Sequence, residues 1–320
     1  MKKFALFCLI PVWIGAQSQV VWPAPPDTAK IILQEILEHP VPAPKSTSWI
    51  SRFTHFIRTK PIPDFVRPMG LDAFGPWLGV ADPGAGGVFL INREAGVARF
   101  ISTDNEDGAP VDLALGPEGV TVVLSPRPIL RFYDWKGNAL ATLNLEDDLG
   151  RLTGIAYYRD RFYVVDTKRH QIAILSPEGR LLRKFGERGL EEGFWNYPTF
   201  IDVSTDGTLY ITDTMNFRVQ RLSPDAKWLG QYGQPGVGAG QLNRPKGVAV
   251  DRTGRVYIVD GSFDNVQIFD TQGQFLMHFG VAGHLGGELM MPTDIAIVEP
   301  WIYVSDTMNN RIQCFRMLYE

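Results

Sequence analysis

Carboxylate, amide and guanidinium groups recur along this chain at places that suggest two kinds of chemistry. One set is periodic. Asp82, Asp166, Asp213, Asp260 and Asp306 each end a short apolar run, and two of them open the strings Asp213-Thr-Met-Asn216-Phe-Arg218 and Asp306-Thr-Met-Asn309-Asn-Arg311. An aspartate in such a turn accepts backbone N–H bonds and pairs with the arginine five residues on, which is a structural task. The other set breaks the period. At one corresponding place the chain carries in turn Gly70, Asp112, Gly154, Phe200, Gly247 and Asp294, so that two carboxylates and an aromatic ring stand where glycine stands elsewhere. Glycine-spaced connectors add Trp195, Tyr197, Arg244, His284 and Met291, among which tryptophan, tyrosine and arginine are the types that most often dominate binding energy.

Catalysis finds less support in these residues. The histidines are His39, His55, His170, His278 and His284, and only the last two are neighbours in sequence, whereas a catalytic zinc site needs three ligands converging on the ion. Asp112 and Asp294 are hard oxygen ligands that could hold calcium together with backbone carbonyls. No serine or cysteine nucleophile with a matching histidine is identifiable, and Cys314 reads as a small core residue. The expectation is a chain that needs no cofactor, with calcium or zinc as the alternatives.

The elements that must position these side chains follow from self-similarity. Segments beginning at Pro198, Pro245 and Pro292 each lead through a polar turn to an aromatic strand, Leu209-Tyr-Ile-Thr-Asp213, Val256-Tyr-Ile-Val-Asp260 and Ile302-Tyr-Val-Ser-Asp306. Glycines precede each at fixed offsets: Gly186, Gly189 and Gly193; Gly233, Gly236 and Gly240; Gly280, Gly283 and Gly287. The frame extends backwards through Asp166, Ser125 and Asp82, which makes six units of four short strands with glycine-containing turns. Such four-stranded repeats predict an all-β fold, a six-bladed β-propeller of antiparallel blades. Tyr163, Tyr210, Tyr257 and Tyr303, three places before each aspartate, are expected to pack one sheet on the next.

In these residues the chain resembles the NHL-repeat family of TolB-like, NHL-type six-bladed propellers found among exported bacterial proteins. The two strings Asp213 to Gln220 and Asp306 to Gln313 match its unit best, and the resemblance spans about residues 66–316. Units one and two depart from it at Asp82-Pro-Gly-Ala and Ser125-Pro-Arg-Pro, which lack the asparagine and arginine. The resemblance implies that the turns between second and third strands share one face with the connectors. That loop face would then carry Asn216, Arg218, Asn309 and Arg311 beside Trp195, Tyr197, Arg244 and His284, with Asp112, Phe200 and Asp294 at the axial opening.

Residues 1–18 read as a signal peptide: Lys2 and Lys3 precede an apolar stretch from Phe4 to Ala16, too short for a membrane span. Their removal takes the net charge from −4 to about −6, which argues against a nucleic-acid partner. Residues 19–65 are expected to supply a closing strand at 29–37, a proline-rich spacer and a short amphipathic helix at 48–59 bearing Trp49, Ile50, Phe53, Phe56 and Ile57; residues 66–320 form the propeller. The sixth unit stops after three strands, so 29–37 is expected to pair beside Ile312 to Phe315. The functional expectation is a periplasmic or secreted, monomeric, non-enzymatic scaffold whose loop face holds a protein, peptide or envelope component. The alternative is a metal-dependent propeller enzyme resembling the amidating lyases or the lactonases.

Overall fold

The computed structural model describes residues 20–23, 28, 30–40, 62–103 and 105–318. The expected signal segment, most of the proline-rich spacer and the expected helix at 48–59 lie outside them. Six antiparallel sheets are arranged as blades. Blade I is Leu71–Phe74, Trp77–Asp82, Gly87–Asn92 and Val97–Ser102; blade II is Ala109–Gly116, Gly119–Ser125, Ile129–Asp134 and Ala139–Asn144. Blade III is Leu152–Tyr157, Phe162–Asp166, Gln171–Leu175 and Leu181–Phe185; blade IV is Pro198–Val203, Leu209–Asp213, Arg218–Leu222 and Trp228–Tyr232. Blade V is Pro245–Val250, Val256–Asp260, Asn265–Phe269 and Phe275–Phe279.

Blade VI takes Ile295–Val298, Trp301–Asp306 and Arg311–Met317 from the end of the chain and Ile31–Leu37 from its beginning. Leu33 stands opposite Phe315 and Leu37 opposite Ile312 in that antiparallel pairing. A short fifth strand, Val21–Trp22, continues the sheet outward, which the four-strand repeat did not anticipate. Trp22 lays its ring against Phe279 of blade V and Phe315 of blade VI, so the extra strand covers the seam between the two blades. Among the described residues helical structure is confined to 3-10 turns at Asn105–Asp107, Thr214–Asn216 and Thr307–Asn309, and no helix is long and apolar enough to cross a membrane.

The core is a series of slabs between successive blades rather than one centre, because each twisted sheet buries both faces against its neighbours. Val88, Leu90, Leu113 and Val122 fill the gap between blades I and II, and Val259, Phe279, Ile302 and Phe315 that between V and VI. Each repeat tyrosine reaches forward into the next gap: Tyr163 toward blade IV, Tyr210 toward V, Tyr257 toward VI and Tyr303 toward I. Second strands are buried along their length, whereas outer strands such as Leu181–Phe185 are mostly exposed.

The connectors explain their glycine spacing. In each of three, a parallel bridge joins positions two and nine after the first glycine: Arg188 to Trp195, Pro235 to Leu242 and Ala282 to Leu289. The first glycine of each, Gly186, Gly233 or Gly280, has φ between +77° and +91°, and a Cβ there would stand 2.2 to 2.6 Å from the Trp195, Leu242 or Leu289 side chain. Only glycine satisfies both the left-handed backbone and the close approach.

Candidate functional site

The periodic aspartates are structural clamps. Asp213 is wholly buried; its Oδ1 accepts the Asn196 N–H at 2.6 Å, and its Oδ2 accepts from Asn216 Nδ2, Arg218 Nε and Gln220 Nε2 at 2.8, 2.9 and 3.1 Å. Asp306 repeats this with the Met290 N–H, Asn309, Arg311 and Gln313. Asp82, Asp166 and Asp260 likewise accept backbone N–H groups of the connector that enters their own blade, at Val66 and Arg67, at Gly150, and at Asn243 and Arg244. The threonine after the aspartate adds a bond to the next blade: Thr167 donates to Pro198 O, Thr214 to Pro245 O and Thr307 to Pro68 O.

Several residues expected on the loop face are therefore committed elsewhere. Trp195 is fully buried between blades III and IV and offers a partner no surface, which corrects its assignment as a contact residue. The same connector place holds Leu242 and Leu289, also fully buried, so the repeat itself carried the signal for a core position. Arg218 and Arg311 are buried with their guanidinium groups on Asp213 and Asp306 and on connector carbonyls. Tyr197 and Arg244 are exposed, and exposed His284 bonds Asn309 through Nδ1 at 2.7 Å.

The innermost strands bring a different set together. At the third place, glycine alternates with a larger residue around the ring, because a glycine in one blade makes room for the next blade's residue. A Cβ on Gly70 would lie 2.4 Å from Asp112 Oδ1, one on Gly247 2.2 Å from Asp294 Oδ1, and one on Gly154 3.0 Å from the Phe200 Cα. Two residues further along, on the same face of the strand, stand Asp72 in blade I and Asp202 in blade IV, where the other blades have Ala114, Ala156, Ala249 and Ala296. Sequence reasoning missed these two, although the same break in the repeat that singled out Asp112 and Asp294 marks them.

Each of the four carboxylates reaches to a neighbouring blade. Asp294 accepts the Leu71 N–H, Asp72 the Leu115 N–H, Asp112 the Ile155 N–H and Asp202 the Val250 N–H, at 2.7 to 2.9 Å. They line an axial cavity of about 460 Å³ whose wall also includes Phe74, Tyr157, Tyr158 and Phe200. The lining residues Ser204, Thr205, Asp251 and Arg252 belong to the turns between first and second strands, so the cavity opens on the face opposite the connectors. Of the residues expected at the loop face, Asp112, Phe200 and Asp294 line this cavity, apart from those on the connectors. Arg252, the basic residue among the lining, pairs with Glu299 at 2.7 Å on the rim.

Burial disfavours the charged form of all four groups. It pushes Asp72 up to about 7 and Asp202 up to about 6, against the lowering effect of the two backbone N–H bonds that each accepts. Asp112 and Asp294 are raised well above the ordinary carboxylate range, first by burial, with mutual repulsion adding to Asp294. A carboxylate that holds its proton more tightly in the folded than in the unfolded chain destabilises the fold once pH rises above the unfolded value of about 4, until the folded value is passed. The thermal midpoint is thus expected to fall as pH rises from 5 to 8. A chain carrying Asp72→Asn and Asp202→Asn should show a flatter profile in the same melts; an unchanged slope would contradict the assignment.

Among the described residues no group of three or more histidine, cysteine, aspartate or glutamate side chains is arranged to hold a metal ion. No family model and no curated protein matches the chain. Solved structures do. A Bacteroides thetaiotaomicron VPI-5482 protein of unknown function is 16% identical over 79% of this chain and 70% of its own, with a TM-score of 0.65. A streptogramin B lyase is 15% identical over 81% of this chain and 96% of its own, with a TM-score of 0.59. An auxiliary nutrient binding protein, also from Bacteroides thetaiotaomicron VPI-5482, is 12% identical over 78% of this chain and 69% of its own, with a TM-score of 0.62. At these identities the likeness shows the propeller fold.

Proposed function

We propose that this chain is an exported binding protein built on NHL-type repeats, which holds a cationic group of a peptide or envelope component in its axial cavity without transforming it. The observation that carries this reading is the convergence of Asp72, Asp112, Asp202 and Asp294 on one cavity, at places where the other blades have glycine, alanine or, once, Phe200. The cavity is in the range of small-ligand sites, and its aromatic wall suits an ammonium or guanidinium group carried on an apolar stem. Carboxylates kept partly protonated by burial are groups under electrostatic load, and an arriving cation relieves it. The nutrient-binding neighbour lends the fold a precedent for holding a ligand. In the same reading the strand Ile31–Leu37 seals the ring that shapes the cavity, and the protein works as a periplasmic or secreted monomer.

Calorimetric titration with a lysyl dipeptide amide tests the reading. Binding should tighten from pH 5 to pH 8 as the carboxylates ionise, and Asp72→Asn with Asp202→Asn should weaken it by about tenfold or more, the scale of one lost charge-assisted contact. Affinity indifferent to both changes, or no binding at either pH, would sink it.

A further inference from the structure

Blades IV and VI carry the same turn, Asp-Thr-Met-Asn, and the same connector geometry, so a difference between them is informative. In blade VI, Asn309 donates through Nδ2 to Gly283 O at 2.9 Å and to both Asp306 oxygens at 3.0 and 2.9 Å. A carbonyl and a carboxylate on that side settle which way the amide faces, because its oxygen there would meet only acceptors. Oδ1 therefore points at His284 Nδ1, 2.7 Å away, and that nitrogen carries the proton.

In blade IV, Asn216 repeats the first half. Its Nδ2 donates to Gly189 O at 2.9 Å and to Asp213 Oδ2 at 2.8 Å, which orients the amide in the same way. Its Oδ1 is buried and has no hydrogen-bond partner among the described residues. The cause is a substitution within the repeat: four places after the first glycine of the connector, blade VI has His284 and blade IV has Leu190. Leu190 has no donor and is 73% exposed. A cavity of about 310 Å³ lies at this turn, with Leu190, Met215, Asn216, Phe217, Gln231 and Pro235 among its lining. An acceptor buried without a partner forfeits its bond to water and gains nothing in return, so an arriving donor restores what was lost.

We propose that this pocket of blade IV is a peptide-binding site for a side chain that ends in a ring N–H, histidine above all. The ring would donate to Asn216 Oδ1 as His284 does to Asn309, while neighbouring apolar groups of the peptide rest on Leu190 and half-exposed Met215. The site lies on the connector face, on the far side from the mouth of the axial cavity, so either reading can fail without the other.

The test uses the full chain labelled at methionine methyl groups and titrated by NMR with N-acetylhistidine methylamide. The Met215 methyl is expected to shift saturably while Met308, in the turn that His284 already seals, stays unmoved. N-acetylleucine methylamide, with the same backbone and no ring donor, should leave Met215 in place. Leu190→His should supply the missing donor internally and weaken the Met215 response by about tenfold or more, its fold verified by an unaltered Met308 resonance. His284→Ala should open the twin pocket, so that Met308 begins to respond. A silent Met215, an equal response to the leucine compound, a response that survives Leu190→His, or a Met308 that stays silent in His284→Ala each overturns the proposal.

Discussion

A chain that lacks residues 1–37 is expected to lose its cooperative thermal transition, or to melt at least about 10 °C below the full chain. The strand Ile31–Leu37 gives blade VI its partner for Arg311–Met317, and both of its ends are buried. Ile31 joins Phe279, Ile302 and Phe315 in the slab between blades V and VI; Leu37 joins Phe65, Leu78 and Ile312 in the slab between VI and I. Losing two buried aliphatic side chains removes roughly 1.5 to 3 kcal/mol each, before the exposed ladder of Arg311–Met317 is counted. Glu35 also pairs with Arg93 of blade I. Ile31→Ala isolates the packing contribution, since it keeps the strand and removes only the side chain from the slab. Circular-dichroism melts of both variants read the effect, and midpoints within about 2 °C of the full chain would show that the strand is decoration.

Arg218→Met is expected to destabilise the chain by about 3 to 5 kcal/mol, the usual consequence of stranding a buried charge. Asp213 would keep its bonds from Asn196, Asn216 and Gln220 but lose the cation 2.9 Å away. The guanidinium also donates to Glu191 O, Phe194 O and Gln231 Oε1, so its loss releases the connector that enters blade IV. Denaturant unfolding of Arg218→Met, Asp213→Asn and the double variant measures the coupling. The double variant should cost clearly less than the sum of the singles, because removing both partners leaves no unpaired charge. Additive effects would mean that the two residues act separately.

Much of this was legible in the residues. The count of six blades, the forward-packing tyrosines and the clamp between Asp213 and Arg218 are repetitions of local pattern, and the sheets form with the strands and turns read from the chain. The misreading of Trp195 has a different origin. Trp195 has the residue type of a binding contact but the place of a core residue, as Leu242 and Leu289 at the same connector position indicate. Asp72 and Asp202 break the repeat at the fifth place of the inner strand, which shares a face with the third, so their signal lies one step beyond the place that marks Asp112 and Asp294.

What the sequence determined by itself is the blade: its strands, its glycine-bound connector and its clamping aspartate all lie within one unit of about fifty residues or less, where spacing translates directly into geometry. What only the tertiary structure decided is how units far apart in the chain face one another around the axis. Asp72 meets the charge of Asp202 from the opposite blade, the cavity opens away from the connectors, and Asn216 is left without the donor that Asn309 has. Those outcomes depend on ring curvature and on which neighbour makes room, and neither is a property of any single strand.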